Sequence, residues 1–350
     1  MDLLILAGAF VIILSGAALF TNGIEWLGRK LMLAEGAVGS VLAAVGTALP
    51  ETMIPIIAIL SGGGSAASHG VGVGAILGAP FMLSTLAMFV TGAAVLAVGH
   101  RRPAGDVMPV DTTVLAHDMR YFALAYAIAV GAAFLPAEPV WLKWIVAASL
   151  VAIYVWYVKG HFEADPDIDA EDLAPLRFRR LDPAGQIQSP EAPRLRVVNL
   201  QVLAALGLII VGAYFFVDAV EHLATSFGFD EALLALVIAP IATELPEKFN
   251  SIIWVRQGKD TLAMGNITGA MVFQSTIPTV VALLFAADAW TYGEGSRLAF
   301  GSAAIAFMSS ALIFIPMARA RRLTGRRLLV GGAFYVVYVL AVVLALAKVV

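Results

Sequence analysis

Two hexapeptides carry the residues best suited to hold a cation: Gly46-Thr47-Ala48-Leu49-Pro50-Glu51 and Ala242-Thr243-Glu244-Leu245-Pro246-Glu247. Each sets a carboxylate beside a proline within a long apolar stretch. A charged side chain at the centre of a bilayer costs roughly 2.5–3.5 kcal/mol on insertion scales, so meeting the arrangement twice points to a site. The proline removes a helix hydrogen bond and frees carbonyl oxygens to face a ligand. The carboxylates of Glu51 and Glu247 offer up to four oxygens to a hard cation, with backbone carbonyls near Thr47 and Thr243 and the Thr hydroxyls as further neutral donors. The chemistry indicated is cation binding inside a membrane.

The elements that must position these residues are apolar helices. The 350-residue chain is 60% hydrophobic and 13% charged, with mean hydropathy +0.89. It has no cysteine, which excludes disulfides and thiolate metal sites. The start, Met1-Asp2, has no basic stretch before the first apolar run, so that run is expected to be a retained transmembrane helix. Runs of about 20 apolar residues span a bilayer. Ten are expected, near 3–24, 36–60, 70–98, 115–135, 139–158, 198–221, 231–255, 262–286, 297–317 and 328–348, the second, third, seventh and eighth broken by Gly, Pro or polar residues. Lys and Arg concentrate in the loops after odd-numbered runs, as at Arg29-Lys30, Arg101-Arg102 and Arg319 through Arg327. Those loops are therefore expected on the cytoplasmic side, with both termini outside.

The chain also repeats itself. A shift of 196 residues places Glu51 on Glu247, Pro50 on Pro246, Thr47 on Thr243 and Glu25 on Glu221. Gly74 through Ala79 fall on Gly265 through Ala270 at a shift of 191. Five helices per repeat is an odd number, so the two halves enter the membrane in opposite senses, with broken helices at the midplane. The expected organisation is a first transmembrane repeat over 1–159, a cytoplasmic linker over 160–197 and a second repeat over 198–350. Asp165-x-Asp167-x-Asp169 hints at a calcium loop, but Ala170 and Leu176 stand where that loop needs Gly and Glu, so a solvated linker is expected.

Taken together, the pattern resembles the membrane region of the cation/calcium exchanger superfamily, whose sodium/calcium exchangers carry inverted repeats reading G-T-S-L-P-E and, one helix later, G-N-x-x-G-S-N-x-x-N. The second repeat is the clearer match, through Thr243 to Glu247 and Gly265-Asn266-Ile267-Thr268-Gly269. The resemblance implies an all-α polytopic fold, Glu51 and Glu247 as central ligands of a divalent ion near the midplane, and gating by sliding of the first and sixth helices. Departures are Ala48 and Glu244 for the motif serines, Ala79 and Ala270 for the later serines, and Leu83 and Gln274 for the later Asn or Asp. They bear more on the family's sodium sites than on its divalent site.

Three residues keep two readings each. Lys248, four residues after Glu244, either neutralises it along the helix or points into the site in place of a monovalent ion. Glu244 thereby either loads a proton or forms a plain helix pair. Gln274 is either a ligand or an interhelical clasp. Glu25, Glu221, Asn22 and Asp218 are expected at headgroups, and His69, His117, His161 and His222 at interfaces, since no zinc-like spacing joins them. The function expected is a multi-pass cell-membrane antiporter exchanging calcium for sodium or protons. The alternatives are a cation/proton exchanger for another metal and a non-transporting ion sensor. Its partners are inorganic cations and the lipid bilayer; no enzyme signature, cofactor, nucleic acid or obligatory protein partner is indicated.

Overall fold

Backbone polar groups in lipid must be satisfied within the chain, and helices do this locally. The computed structural model describes the chain except at residues 1, 50–51, 53–54, 57–58, 61–65, 137, 164–172, 182–192, 227–243, 294–295 and 348–350. In chain order the helices are α1 (Asp2–Lys30), α2 (Glu35–Ala37), which runs through a π-helical stretch (Val38–Ala43) into α3 (Ala44–Thr47), then α4 (Ala66–Met82). A second π-helical stretch (Leu83–Ala87) joins α4 to α5 (Met88–Val98). There follow α6 (Thr112–Gly131), α7 (Trp141–Phe162), α8 (Leu195–Ser226), α9 (Leu245–Gln257), α10 (Asp260–Phe285), α11 (Arg297–Ala320), α12 (Gly325–Leu328) and α13 (Val330–Ala347). Two-residue strands β1 (Val107–Met108) and β2 (Leu323–Thr324) pair antiparallel.

Among the described residues, seven helices are long and apolar enough to cross a membrane. α6 falls outside that set because His117, Asp118 and Arg120 sit in its first half. It begins three residues before the expected position because the Asp111 carboxylate accepts the free N–H groups of Thr113 (2.7 Å) and Val114 (3.2 Å). The expected seventh run is described only from Glu244 onward.

α10 is the central post. Its span is 78% buried, against 22% for that of α7, which lies at the outside of the bundle. Its motif glycines explain the packing: a Cβ at Gly269 would lie 2.0 Å from the Ser40 carbonyl oxygen, and one at Gly265 2.9 Å from Ser40 Oγ. The spacing of small residues therefore admits the π-helical stretch against α10 with backbone contact. The corresponding Gly74 and Gly78 of the first repeat have open space instead. α1 lies along α8 in the same close way, with Gly16 against Ile209 and Gly212 against Ile13.

Within the expected linker, Leu176 docks on the membrane helices, buried with Trp26, Val197 and Val198, while Arg177, Arg179 and Arg180 beside it stay exposed. Asn22 and Trp26 of α1 donate to the Ala174 carbonyl (3.1 and 2.9 Å), while Gln201 of α8 accepts from Phe178 N–H (2.8 Å). Asn22 is thus buried under the linker, not at a headgroup. Glu25 is buried too, accepting from Trp254 Nε1 (2.7 Å) and pairing with Lys259. The aspartates of the hinted calcium loop lie outside the described residues.

Candidate cation site

Pro246 falls in the first turn of α9, where a missing N–H leaves no bond unmade, and the helix therefore begins at Leu245. This sets Glu247 in the first turn, where the helix dipole favours a carboxylate. Glu247 is fully buried. Glu51 and Thr243 lie outside the described residues.

Lys248 resolves the first of the open alternatives. Its Nζ donates to Glu244 Oε2 (3.0 Å) and to the Glu244 carbonyl (3.2 Å), and both side chains are buried. The lysine thus neutralises Glu244 along its own helix. Glu247 is the other buried acid of this motif, and Glu51 is its counterpart by sequence.

The two motifs are joined through Asn266, a residue the sequence reading used only as part of a matched string. Asn266 Nδ2 donates to the Glu247 carbonyl (3.4 Å), and the Thr47 hydroxyl lies 3.1 Å from both Asn266 Oδ1 and the Ala43 carbonyl. Thr47, Asn266 and Glu247 therefore form one chain across α3, α10 and α9. Gln274, two turns further along α10, lines a small cavity with Thr52, Pro55, Ala79 and Pro278. The Thr52 hydroxyl there is buried without a hydrogen-bond partner. Gln274 so faces Thr52 and Pro55, which follow the first motif in the chain.

Asn250 went unnoticed in the sequence. It sits one turn after Glu247, fully buried, with neither amide atom hydrogen-bonded. Leaving a buried donor or acceptor unsatisfied costs about 1–3 kcal/mol, so such a group points to a ligand. An amide beside an acid inside a membrane helix was the available signal.

A second polar cluster lies at the end of the bundle where α7 meets the linker. The buried Asp118 carboxylate accepts from Ser40 Oγ (2.7 Å), Thr268 Oγ1 (2.5 Å) and Tyr157 OH (3.0 Å), with His161 Nε2 at 2.8 Å. His161 is buried and His117 half-buried. Nearby, Arg102 clamps the buried Asp260 at the start of α10 with both terminal guanidinium nitrogens.

Known proteins share this architecture. The sequence model of the family described as sodium/calcium exchanger protein matches residues 1–160 and 198–347. CaxA of Alkalimonas amylolytica, a proposed antiporter, is 25% identical over 272 residues, 75% of this chain and 74% of that protein. The inner membrane protein YrbG of Escherichia coli K12 is 37% identical over 93 residues, 26% of this chain and 29% of YrbG. The solved structure of the sodium-calcium exchanger NCX_Mj, soaked with sodium and strontium, superposes with a TM-score of 0.70 at 16% identity, covering 96% of both chains. A second NCX_Mj structure, soaked without sodium or calcium, gives the same TM-score over 96% of this chain and 97% of the other. At that identity the likeness shows the fold alone.

Proposed function

This chain belongs to the sodium/calcium exchanger protein family, and we propose on that premise that it exchanges calcium for sodium or protons by alternating access. The observation that carries the reading is Glu247. It is a carboxylate fully buried at the broken start of a membrane helix, tied through Asn266 to Thr47 of the other motif. Glu51 and Glu247 are the central ligands, with Thr47, Thr243 and Gln274 supplying neutral oxygens. Because Lys248 cancels Glu244, the two central acids carry a charge of −2, which one divalent ion neutralises. Calcium, a hard cation that takes only oxygen, suits this donor set.

The substrate enters and leaves by movement of α1 and α8, whose paired glycines let them travel as one body. The loops rich in Lys and Arg face the cytoplasm, and both termini lie outside. Residues 1–159 and 198–350 form two repeats of opposite orientation around the site.

Ala48, Ala79 and Ala270, which stand where the family motifs have serines, favour a second reading for the counter-ion. With those hydroxyls absent, fewer oxygens remain for sodium, and protons take its place. Calcium-45 uptake into proteoliposomes separates the two. Uptake driven by an outward sodium gradient supports sodium exchange, uptake driven only by an outward proton gradient supports proton exchange, and no uptake with either rejects both.

A further inference from the structure

We propose that His117, Asp118 and His161 form a binding site for a first-row transition-metal ion, zinc in the first place, separate from the transport site. The ligand atoms these three side chains offer lie within 4.8 Å of one another. Two imidazoles and one carboxylate match the three-residue donor set of many zinc sites, with water in the fourth position. The same set is poor for calcium or sodium, which take oxygen, so the cargo ion does not compete well for it.

The surroundings are those of a metal centre rather than of a bare polar contact. Ser40, Thr268 and Tyr157 donate to Asp118 from three separate elements, and such outer hydrogen bonds fix the direction of a ligating carboxylate. Two glycines seat the rings: a Cβ at Gly160 would lie 3.3 Å from His117 Nε2, and one at Gly36 3.3 Å from His161 Nδ1. The His117 ring meets that of His161 edge-on, with centroids 5.0 Å apart. His161 Nε2 already faces Asp118 Oδ1 at 2.8 Å. A metal takes the place of the proton between them when that proton is carried on Nδ1 instead, and the two atoms then part by a few tenths of an ångström. His117, the half-buried member, gives the ion a way in from solvent.

Occupancy reaches the transport site through two of the three elements that hold Asp118. Ser40 lies two turns before Thr47, and Thr268 lies under two turns before Gln274. A metal that stiffens the Asp118 cluster therefore holds the π-helical stretch against α10 and slows any exchange that needs them to part. Only this consequence rests on the antiporter reading; binding itself does not.

The test is calorimetric titration of the purified full-length protein with zinc chloride, in wild type, His117→Gln, His161→Asn and Glu247→Gln. Expected are one zinc ion per chain in wild type and in Glu247→Gln, and binding weakened by about tenfold or more in each His variant. His117→Gln leaves every hydrogen bond of the Asp118 cluster in place, so its fold is secure if that of His161→Asn is not. Absence of zinc binding in wild type overturns the proposal. So does binding that survives His117→Gln unchanged, or that is lost in Glu247→Gln alone.

Discussion

Gly269 presses on the backbone of Ser40 so closely that a Cβ there would sit 2.0 Å from the Ser40 carbonyl oxygen. No side chain can turn aside to relieve this contact, because both partners are backbone. Gly269→Ala must therefore push the π-helical stretch off α10, at an expected cost of about 1–3 kcal/mol or more. A fall in the thermal midpoint in detergent checks this. Gly78→Ala, at the matching position of the first repeat, has open space and should melt like wild type.

Lys248 and Glu244 form a buried pair four residues apart. Lys248→Met strands the Glu244 carboxylate in the membrane interior, with an expected loss of about 3–5 kcal/mol. Adding Glu244→Gln removes the stranded charge and should restore most of the lost stability. A double variant as unstable as the single one would show that Lys248 acts on something other than Glu244.

Asn250 carries two unsatisfied amide atoms in a fully buried position. Asn250→Leu removes them at similar volume and should raise stability in ion-free detergent by about 1 kcal/mol. If Asn250 serves the passing cation, the same variant raises the calcium concentration for half-maximal uptake. Lowered stability with unchanged uptake would make Asn250 a structural residue.

Asn22, Trp26 and Gln201 hold residues 174–178 of the linker against α1 and α8. Asn22→Ala together with Gln201→Leu releases that segment. Trypsin should then cut faster after Arg177, Arg179 and Arg180, while the membrane helices remain intact on a gel. Equal cutting rates in variant and wild type would mean that Leu176 alone holds the segment.

How much of this was legible in the sequence follows from what each feature depends on. Glu247 and Pro246 break local rules for an apolar helix, so their residue types alone revealed them. Gly265 and Gly269 were visible as a spacing, but their partner Ser40 lies more than 220 residues earlier, and only tertiary packing brings it there. The same holds for Asp118 and His161, which stand 43 residues apart on neighbouring helices and share no local pattern. The presence of Asp118 within an apolar run was the available signal, since an ionisable residue inside a membrane usually has a task. The docking of Leu176 and Phe178 was not legible because the charge around them hid the two apolar residues placed to dock. Glu25 was misread because its partners, Trp254 and Lys259, come from the other repeat.

The most direct measurement is calcium-45 exchange in proteoliposomes for wild type and Glu247→Gln, each at matched reconstitution. Removing the charge while keeping the shape should abolish exchange, with Glu51→Gln doing the same and Glu244→Gln retaining a measurable rate. Exchange by Glu247→Gln at the wild-type rate would contradict the assignment of this buried carboxylate as a ligand of the transported ion.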